Sequence, residues 1–165
     1  MQEINKANRE LAHRLFQCVA VASRPLHVDE LAELLAFDFK AGPIPKFREG
    51  WRLGDPVDAV LSTCPSLLAI IDVGGSQLIQ FSHFSVKEFL TSPRLARAED
   101  EISHYHISMT PAHTLMPQAC LGILLHPDKD HTEESVRKFA LVPYAALHWV
   151  DHARTLLDLG ANVAA

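Results

Sequence analysis

Residues 66–90 read SLLAIIDVGGSQLIQFSHFSVKEFL. Two short runs rich in aliphatic residues, 66–72 and 76–82, lie on either side of the sequence VGG at 73–75. Adjacent glycines supply the positive φ angles that a tight turn needs, so this stretch predicts a β-hairpin. Helical spacing of apolar residues follows in HFSVKEFL, and we expect that helix to end at 91–93, where a proline follows TS.

Three helices are predicted before the hairpin. The first runs from about Asn5 to Ala22 and the second covers 28–36, both with apolar residues at helical spacing. The third covers 56–63, with Asp55 as its N-cap and Pro56 at its first helical position.

The segment between the second and third helices is predicted to be irregular. Residues 37–54 hold two prolines and three glycines, which is typical of a connector that lies over the surface. We expect four aromatic residues to hold it in place: Phe37, Phe39, Phe47 and Trp51.

The order helix, helix, connector, helix, strand, strand, helix is that of a winged helix. We therefore predict a mainly α (α+β) chain with a winged-helix domain at 6–93, followed by a helical extension at 94–165. The extension is predicted to contain helices at 111–125 and 142–152. Gly160 is predicted to take the left-handed position after a helix end.

The junction between the hairpin and its following helix places His83 between two phenylalanines. We expect the helix cap to be Ser82, or Ser85 in a capping box with Glu88. The apolar residues of this segment are assigned to the core: Phe81, Val86, Phe89 and Leu90. His83 is then a packing or capping residue, or a ligand-binding residue.

Composition limits the classes of function. The 165 residues are 48% hydrophobic, and the net charge of −5 argues against binding to nucleic acid or to an anionic membrane. The three cysteines, Cys18, Cys64 and Cys120, form no CxxC pair, which indicates buried free thiols in a reducing compartment. No run approaches the roughly 20 apolar residues of a membrane span, so we expect a cytoplasmic protein.

Motifs of known catalytic sites are absent from the sequence. It contains no GxSxG, GxxxxGK[ST] or GxGxxG, and no carboxylate pair stands out. Ten histidines leave a metal-dependent enzyme as a minor alternative, since three lie in SHYHISMTPAH (103–113) and His148 and His152 share a helix face. The segment HWVDH, however, has Trp149 where a zinc protease has glutamate. We expect no enzyme and no metal site.

DNA binding is the main alternative for a winged helix. The helix that would enter the major groove carries Asp55 and Asp58 but neither lysine nor arginine, and the hairpin also lacks a basic residue. Such a surface would repel phosphates, so no nucleic-acid partner is expected.

Five segments point to a family: CVAVASRPLHVDELAELLA, VLSTCPSLLAI, IQFSHFSVKEFLTSPRL, YHISMTPAHTLMPQACLGILL and FALVPYAALHWVDHA. Together they resemble the region that follows the NACHT nucleotide-binding domain in fungal STAND (NLR-like) proteins, many of which continue into ankyrin repeats. The resemblance covers about residues 8–153. The end of the chain, LLDLGANVAA (156–165), is similar to the end of an ankyrin repeat, and we expect the chain to be a fragment or a truncated gene product.

The resemblance implies a non-catalytic regulatory and scaffolding module that couples a NACHT domain to C-terminal repeats. In that family a histidine within a Met-His-Asp motif reaches the β-phosphate of bound ADP. His83 matches that histidine, whereas Ser82 and Phe84 replace the methionine and aspartate. The resemblance thus implies contact of His83 with ADP or ATP only when a NACHT domain is attached; within this chain alone no cofactor is expected.

Overall fold

A computed structural model describes residues 8–64, 66–99, 101–126 and 133–163. Short 3-10 segments lie at 34–36, 49–51 and 101–105. In chain order the helices and strands of these ranges are α1 (Arg9–Val21), β1 (Leu26–His27), α2 (Val28–Glu33), β2 (Phe37–Asp38), β3 (Lys46–Phe47), α3 (Pro56–Thr63), β4 (Leu68–Val73), β5 (Ser76–Phe81), α4 (Phe84–Leu90), α5 (Pro93–Ala96), α6 (Met109–Leu124), α7 (Glu133–Arg137) and α8 (Leu141–Val163).

The predicted hairpin is confirmed. Strands β4 and β5 pair antiparallel, and Gly74 and Gly75 have φ angles of +61° and +83° at the turn between them. A third strand was not predicted: β1 pairs with β5, with Leu26 opposite Ile79. Two residues carry no periodicity of their own, so only the pairing partner reveals that strand.

The helices around the sheet confirm a mainly helical winged helix. The predicted start of α1 at Asn5 lies outside the described residues, and α2 continues as a 3-10 turn to residue 36 as expected. Helix α3 has the predicted bounds, and the Asp58 N–H donates to Asp55 Oδ1 at 2.8 Å.

The connector is more regular than its sequence indicates. Strands β2 and β3 pair antiparallel, which places Phe37 opposite Phe47, and both side chains are buried. The expectation that Trp51 anchors this segment is wrong, because its side chain is 52% exposed. Trp51 lies in the 3-10 segment at 49–51, none of whose residues is buried.

The prediction for the end of the chain is also wrong at one point. Helix α8 continues through Gly160 to Val163, so Gly160 is a helix-interior residue and not a left-handed residue after a helix end. A glycine inside a helix is unfavourable by only about 1 kcal/mol, and the neighbouring Leu159 and Ala161 are good helix formers. The ankyrin-like character of residues 156–165 stays a prediction.

One hydrophobic core crosses the predicted boundary at 93/94. Phe16 of α1 and Leu31 of α2 belong to the same buried cluster as Met116 of α6 and Tyr144 of α8. The wing helices and the following helices therefore support one another by apolar burial, which is the main favourable term in folding.

Two buried carboxylates of α2 make polar connections. Glu33 forms an ion pair with Arg52, and its Oε2 accepts the N–H of Leu141, the first residue of α8. Glu30 forms a bidentate ion pair with Arg24, with N–O distances of 2.6 and 2.8 Å. The sequence analysis had not singled out these acidic residues as buried partners.

Glu33 is expected to be more important for stability than its helix position indicates. Glu33→Gln removes the ion pair and should lower the free energy of unfolding by about 2 kcal/mol, because Arg52 and the α8 N-terminus lose a buried anion. Asp29→Asn, on the exposed side of the same helix, is the matched control and should change it by less than about 0.5 kcal/mol. Urea unfolding followed by circular dichroism measures both; equal effects would contradict the assignment.

Two helical glycines are predicted to respond to alanine with opposite signs. A Cβ at Gly122 would lie 2.6 Å from the carbonyl oxygen of Pro45 and 2.9 Å from Phe37, whereas a Cβ at Gly160 meets nothing within 4 Å. Gly122→Ala should therefore destabilise by about 1–3 kcal/mol despite its better helix propensity. Gly160→Ala should stabilise by up to about 1 kcal/mol. Thermal unfolding of both variants tests this contrast. Changes in stability of the same sign in both variants would refute it.

Candidate functional site at the strand–helix junction

The junction that follows β5 is held by backbone and hydroxyl contacts. The Ser82 N–H donates to the carbonyl oxygen of Leu67 at 3.0 Å, and the Ser82 hydroxyl donates to that of Ser66 at 3.2 Å. Ser82 therefore closes the base of the hairpin and does not cap the helix. The alternative cap with Ser85 and Glu88 is wrong as well, because α4 begins at Phe84.

His83 itself is the N-cap of α4. Its Nδ1 accepts the Ser85 N–H at 3.2 Å and lies 2.7 Å from the Ser85 hydroxyl. The backbone at His83 is extended, as N-cap residues require. Because Nδ1 accepts hydrogen bonds, the neutral imidazole carries its proton on Nε2, which leaves an N–H donor on an exposed side chain.

The apolar residues of the junction divide between core and surface. Leu90 is fully buried as predicted, and Phe81 and Val86 are half-buried against the core. Phe89 is 38% exposed, so its assignment to the core is wrong: a seven-residue helix turns only one of its faces inward. Phe84 is 71% exposed, and its ring centre lies 4.3 Å from that of His83.

Four further histidines of the described ranges form two separate pairs. His104 packs beside His13, with ring centres 5.6 Å apart, and His113 beside His152 at 5.9 Å. Within the described ranges, no group of three or more His, Cys, Asp or Glu side chains is placed to hold a metal ion. The histidines of SHYHISMTPAH and of HWVDH are thus distributed over several contacts.

His152 belongs to a buried hydrogen-bond chain that joins the end of α1 to α8. The Ser23 N–H donates to Tyr144 Oη at 3.0 Å, and Tyr144 Oη lies 2.8 Å from His152 Nε2. When the imidazole is neutral with its proton on Nδ1, the Tyr144 hydroxyl donates to Nε2. Burial, with smaller contributions from the nearby His113 and His148, lowers the pKa of His152 to about 4. Neither the sequence spacing nor a motif indicates this chain.

The cysteines are free and buried, as expected. Burial raises the pKa of the Cys64 and Cys120 thiols to about 12, and it raises that of Cys18 further. At neutral pH these groups are thiols, whereas nucleophilic or metal-binding cysteines are thiolates.

Helix α3 turns Ala59, Val60 and Thr63 inward and leaves Asp55 and Asp58 exposed. Its outer surface is therefore acidic, which disfavours contact with DNA phosphates. No helix in the described part of the chain has the length and apolar character of a membrane span.

Comparison with known proteins gives the family. Residues 1–102 match the model of the family described as GPI inositol-deacylase, winged helix domain. The chain belongs to this family. The matched region contains α1-β1-α2-β2-β3-α3-β4-β5-α4-α5, and its helices and hairpin agree with that description. The description names a winged helix and not a catalytic domain.

A fungal relative is similar over more than the winged helix. "Azaphilone pigments biosynthesis cluster protein L" of Monascus ruber is 29% identical over 147 residues, which cover 84% of this chain and 30% of the relative. The chain thus spans about a third of that relative's length. No solved structure matches the chain.

The buried hydrogen bonds that join Ser23, Tyr144 and His152 predict that stability depends on pH. The folded-state pKa of about 4 lies below the ordinary value of 6.5, so folding favours the neutral ring. The resulting stability is present above pH 6.5 and is lost as the pH falls toward 4, at no more than about 1.4 kcal/mol per pH unit.

The test compares urea unfolding of the wild type and His152→Gln between pH 4 and 8. Glutamine retains an acceptor but does not take up a proton, so the variant should lose less stability on acidification. His13, whose pKa burial also lowers, is present in both proteins and cancels in the difference. His113 lies beside His152, so its response is part of the effect of the substitution. Parallel pH profiles would contradict the role of His152.

Proposed function

We propose that this chain is a non-catalytic regulatory and scaffolding module of a STAND-type signalling NTPase. It packs on a NACHT nucleotide-binding domain and connects that domain to C-terminal repeats of the ankyrin type. The observation that carries the proposal is the strand–helix junction, where a fixed histidine and an exposed phenylalanine follow the hairpin. The resemblance to the region after fungal NACHT domains indicates a NACHT domain as the partner of this surface.

The chemistry of the described residues supports a role without catalysis. The cysteines are buried thiols with raised pKa values, and Nε2 of His152 is engaged in a structural hydrogen bond with Tyr144. A catalytic nucleophile or base needs an accessible reactive atom near substrate. The accessible groups of the junction, an imidazole N–H and aromatic rings, are suited to binding.

The junction supports contact with a nucleotide-binding domain. Nδ1 of His83 is occupied by the helix cap, so the ring is oriented and its Nε2–H is available as a donor. Phe84 and Phe89 add apolar area on the same short helix. ADP or ATP would be bound by the NACHT domain, with a phosphate oxygen accepting from His83.

Helix α8 supports the second partner. Leu147 and Leu157 are each 73% exposed, although large apolar side chains usually gain free energy by burial. C-terminal repeats that stack on α8 would cover such residues, since each repeat buries its apolar face against its neighbour. The module would then act in the cytoplasm and transmit a change in nucleotide state between two interfaces that differ in free energy.

His83 variants test the proposal. His83→Ala removes both the cap and the imidazole, whereas His83→Asn retains a good N-cap and removes only the imidazole. With a NACHT-bearing chain and ADP, both variants should bind about tenfold more weakly than wild type, because each loses one hydrogen bond to a charged group. Isothermal titration calorimetry measures the dissociation constants with and without ADP.

The free energy of unfolding of the isolated chain separates the loss of the helix cap from the loss of the imidazole. His83→Ala should lower the free energy of unfolding by about 0.5–1 kcal/mol, and His83→Asn should leave it near the wild-type value. If the protein binds the NACHT-bearing chain equally well with and without ADP, His83 has no role in sensing the nucleotide. Absence of binding to the NACHT domain by wild type would overturn the proposed function.

A further inference from the structure

Helix α1 and the first half of α6 border a cavity of about 440 Å³ that shares no residue with the His83 junction. Small-molecule pockets have volumes of roughly 300–1,000 Å³, so the space suits a small organic ligand. Helix α1 contributes four polar residues to its walls: Glu10, His13, Arg14 and Gln17. Helix α6 contributes both polar and apolar residues, and the connector contributes Phe39.

Gln17 is the most unusual residue of this cavity. Its side chain is only 8% exposed, and it makes no hydrogen bond with any described residue. A carboxamide offers two N–H donors and one acceptor oxygen. The residue borders the cavity, where its amide is free to bond to water or to a molecule inside the cavity.

Arg14 lies three residues before Gln17 and borders the same cavity. Its guanidinium carbon is 4.4 Å from the centre of the Phe39 ring, and it forms neither an ion pair nor a hydrogen bond within the described ranges. The nearby Asp38 is already paired with Arg48 at 3.0 Å, and Glu10 is exposed. The carboxylates of Glu10 and Asp38 attract this guanidinium without a direct ion pair, so an anion in the cavity would add a closer partner.

His13 supplies an acceptor beside these donors. Its Nε2 lies 2.9 Å from the carbonyl oxygen of His106, so Nε2 carries the proton and Nδ1 keeps a lone pair. Burial is the main cause that lowers the pKa of His13. The ring is thus neutral at pH 7, which leaves Arg14 as the cation of the cavity wall and exposed Glu10 as its anion.

We propose that this cavity binds a small organic monoanion, with a carboxylate held by Arg14 and Gln17 and an apolar ring packed against Phe39 and Leu115. The guanidinium fork matches a carboxylate bidentately, and the carboxamide adds a further donor. One cation beside one exposed carboxylate favours a monoanion over a doubly charged phosphate. This site goes beyond the regulatory function and does not depend on a NACHT partner.

Benzoate is the probe for the test, with the neutral benzamide and the cationic benzylamine as matched compounds. Titration of the full chain is followed by ¹H–¹⁵N NMR. Benzoate should give saturable shifts of the Gln17 side-chain amide, with a dissociation constant of about 1–10 mM as expected for so few atoms. Benzamide and benzylamine should bind at least about fivefold more weakly, because neither offers an anion to Arg14.

Arg14→Met and Gln17→Leu should each weaken benzoate binding by at least about fivefold, since each removes donors but retains the apolar bulk. Arg94→Met removes an exposed arginine of α5 outside the cavity and should leave the constant within about twofold. If Arg14→Met does not fold, Arg14→Lys, which keeps the charge but loses the planar fork, should weaken binding severalfold.

Three results would overturn the proposal. The first is the absence of saturable benzoate binding up to about 50 mM, well above the expected constant. The second is equal affinity for benzoate and benzamide, which would show that the anion is not recognised. The third is an equal loss in Arg94→Met and Arg14→Met, which would show that benzoate responds to the overall charge of the chain.

Discussion

The carboxylate of Glu33 is the polar constraint on which the arrangement of the helices depends. It lies at the end of α2, is only 7% exposed, pairs with Arg52 and accepts the first N–H of α8. A buried anion is tolerated only with such partners, and the N-terminus of a helix supplies donors that have no partner within the helix. Arg52 also donates to the carbonyl oxygen of Lys138 and lies over the Phe139 ring. One side chain thus fixes the connector and α8 against the winged helix.

Polar contacts of the same helix, α2, also hold the segment that precedes it. Glu30, the third residue of α2, accepts the N–H of the N-cap residue His27 at 2.8 Å while it pairs with Arg24, so it supplies the glutamate half of a capping box. Arg24 in turn lies over the ring of Tyr144, whose hydroxyl belongs to the chain from Ser23 to His152. The winged helix and the helices that follow it therefore share polar contacts as well as one apolar core.

The junction at His83 shows how far sequence reasoning reaches for the candidate site. The hairpin, the change to helical spacing and the place of His83 between them all follow from local rules, because glycine turns and helix ends are determined by neighbouring residues. The residue that caps α4 could not be predicted from these local rules. Three nearby side chains were able to accept a helix N–H, and the pairing of Ser82 with the start of the hairpin left that role to His83.

The sequence by itself determined the class of fold, the hairpin with its turn at Gly74 and Gly75, the bounds of α3 and the acidic character of its outer face. These features depend on backbone conformation and charge, which are local. Only the tertiary structure decided that β1 completes the sheet, that Gly160 lies inside a helix and that Gln17 and Arg14 face one cavity. The physical reason is that pairing partners, burial and unpaired polar groups arise from residues that are distant in the chain.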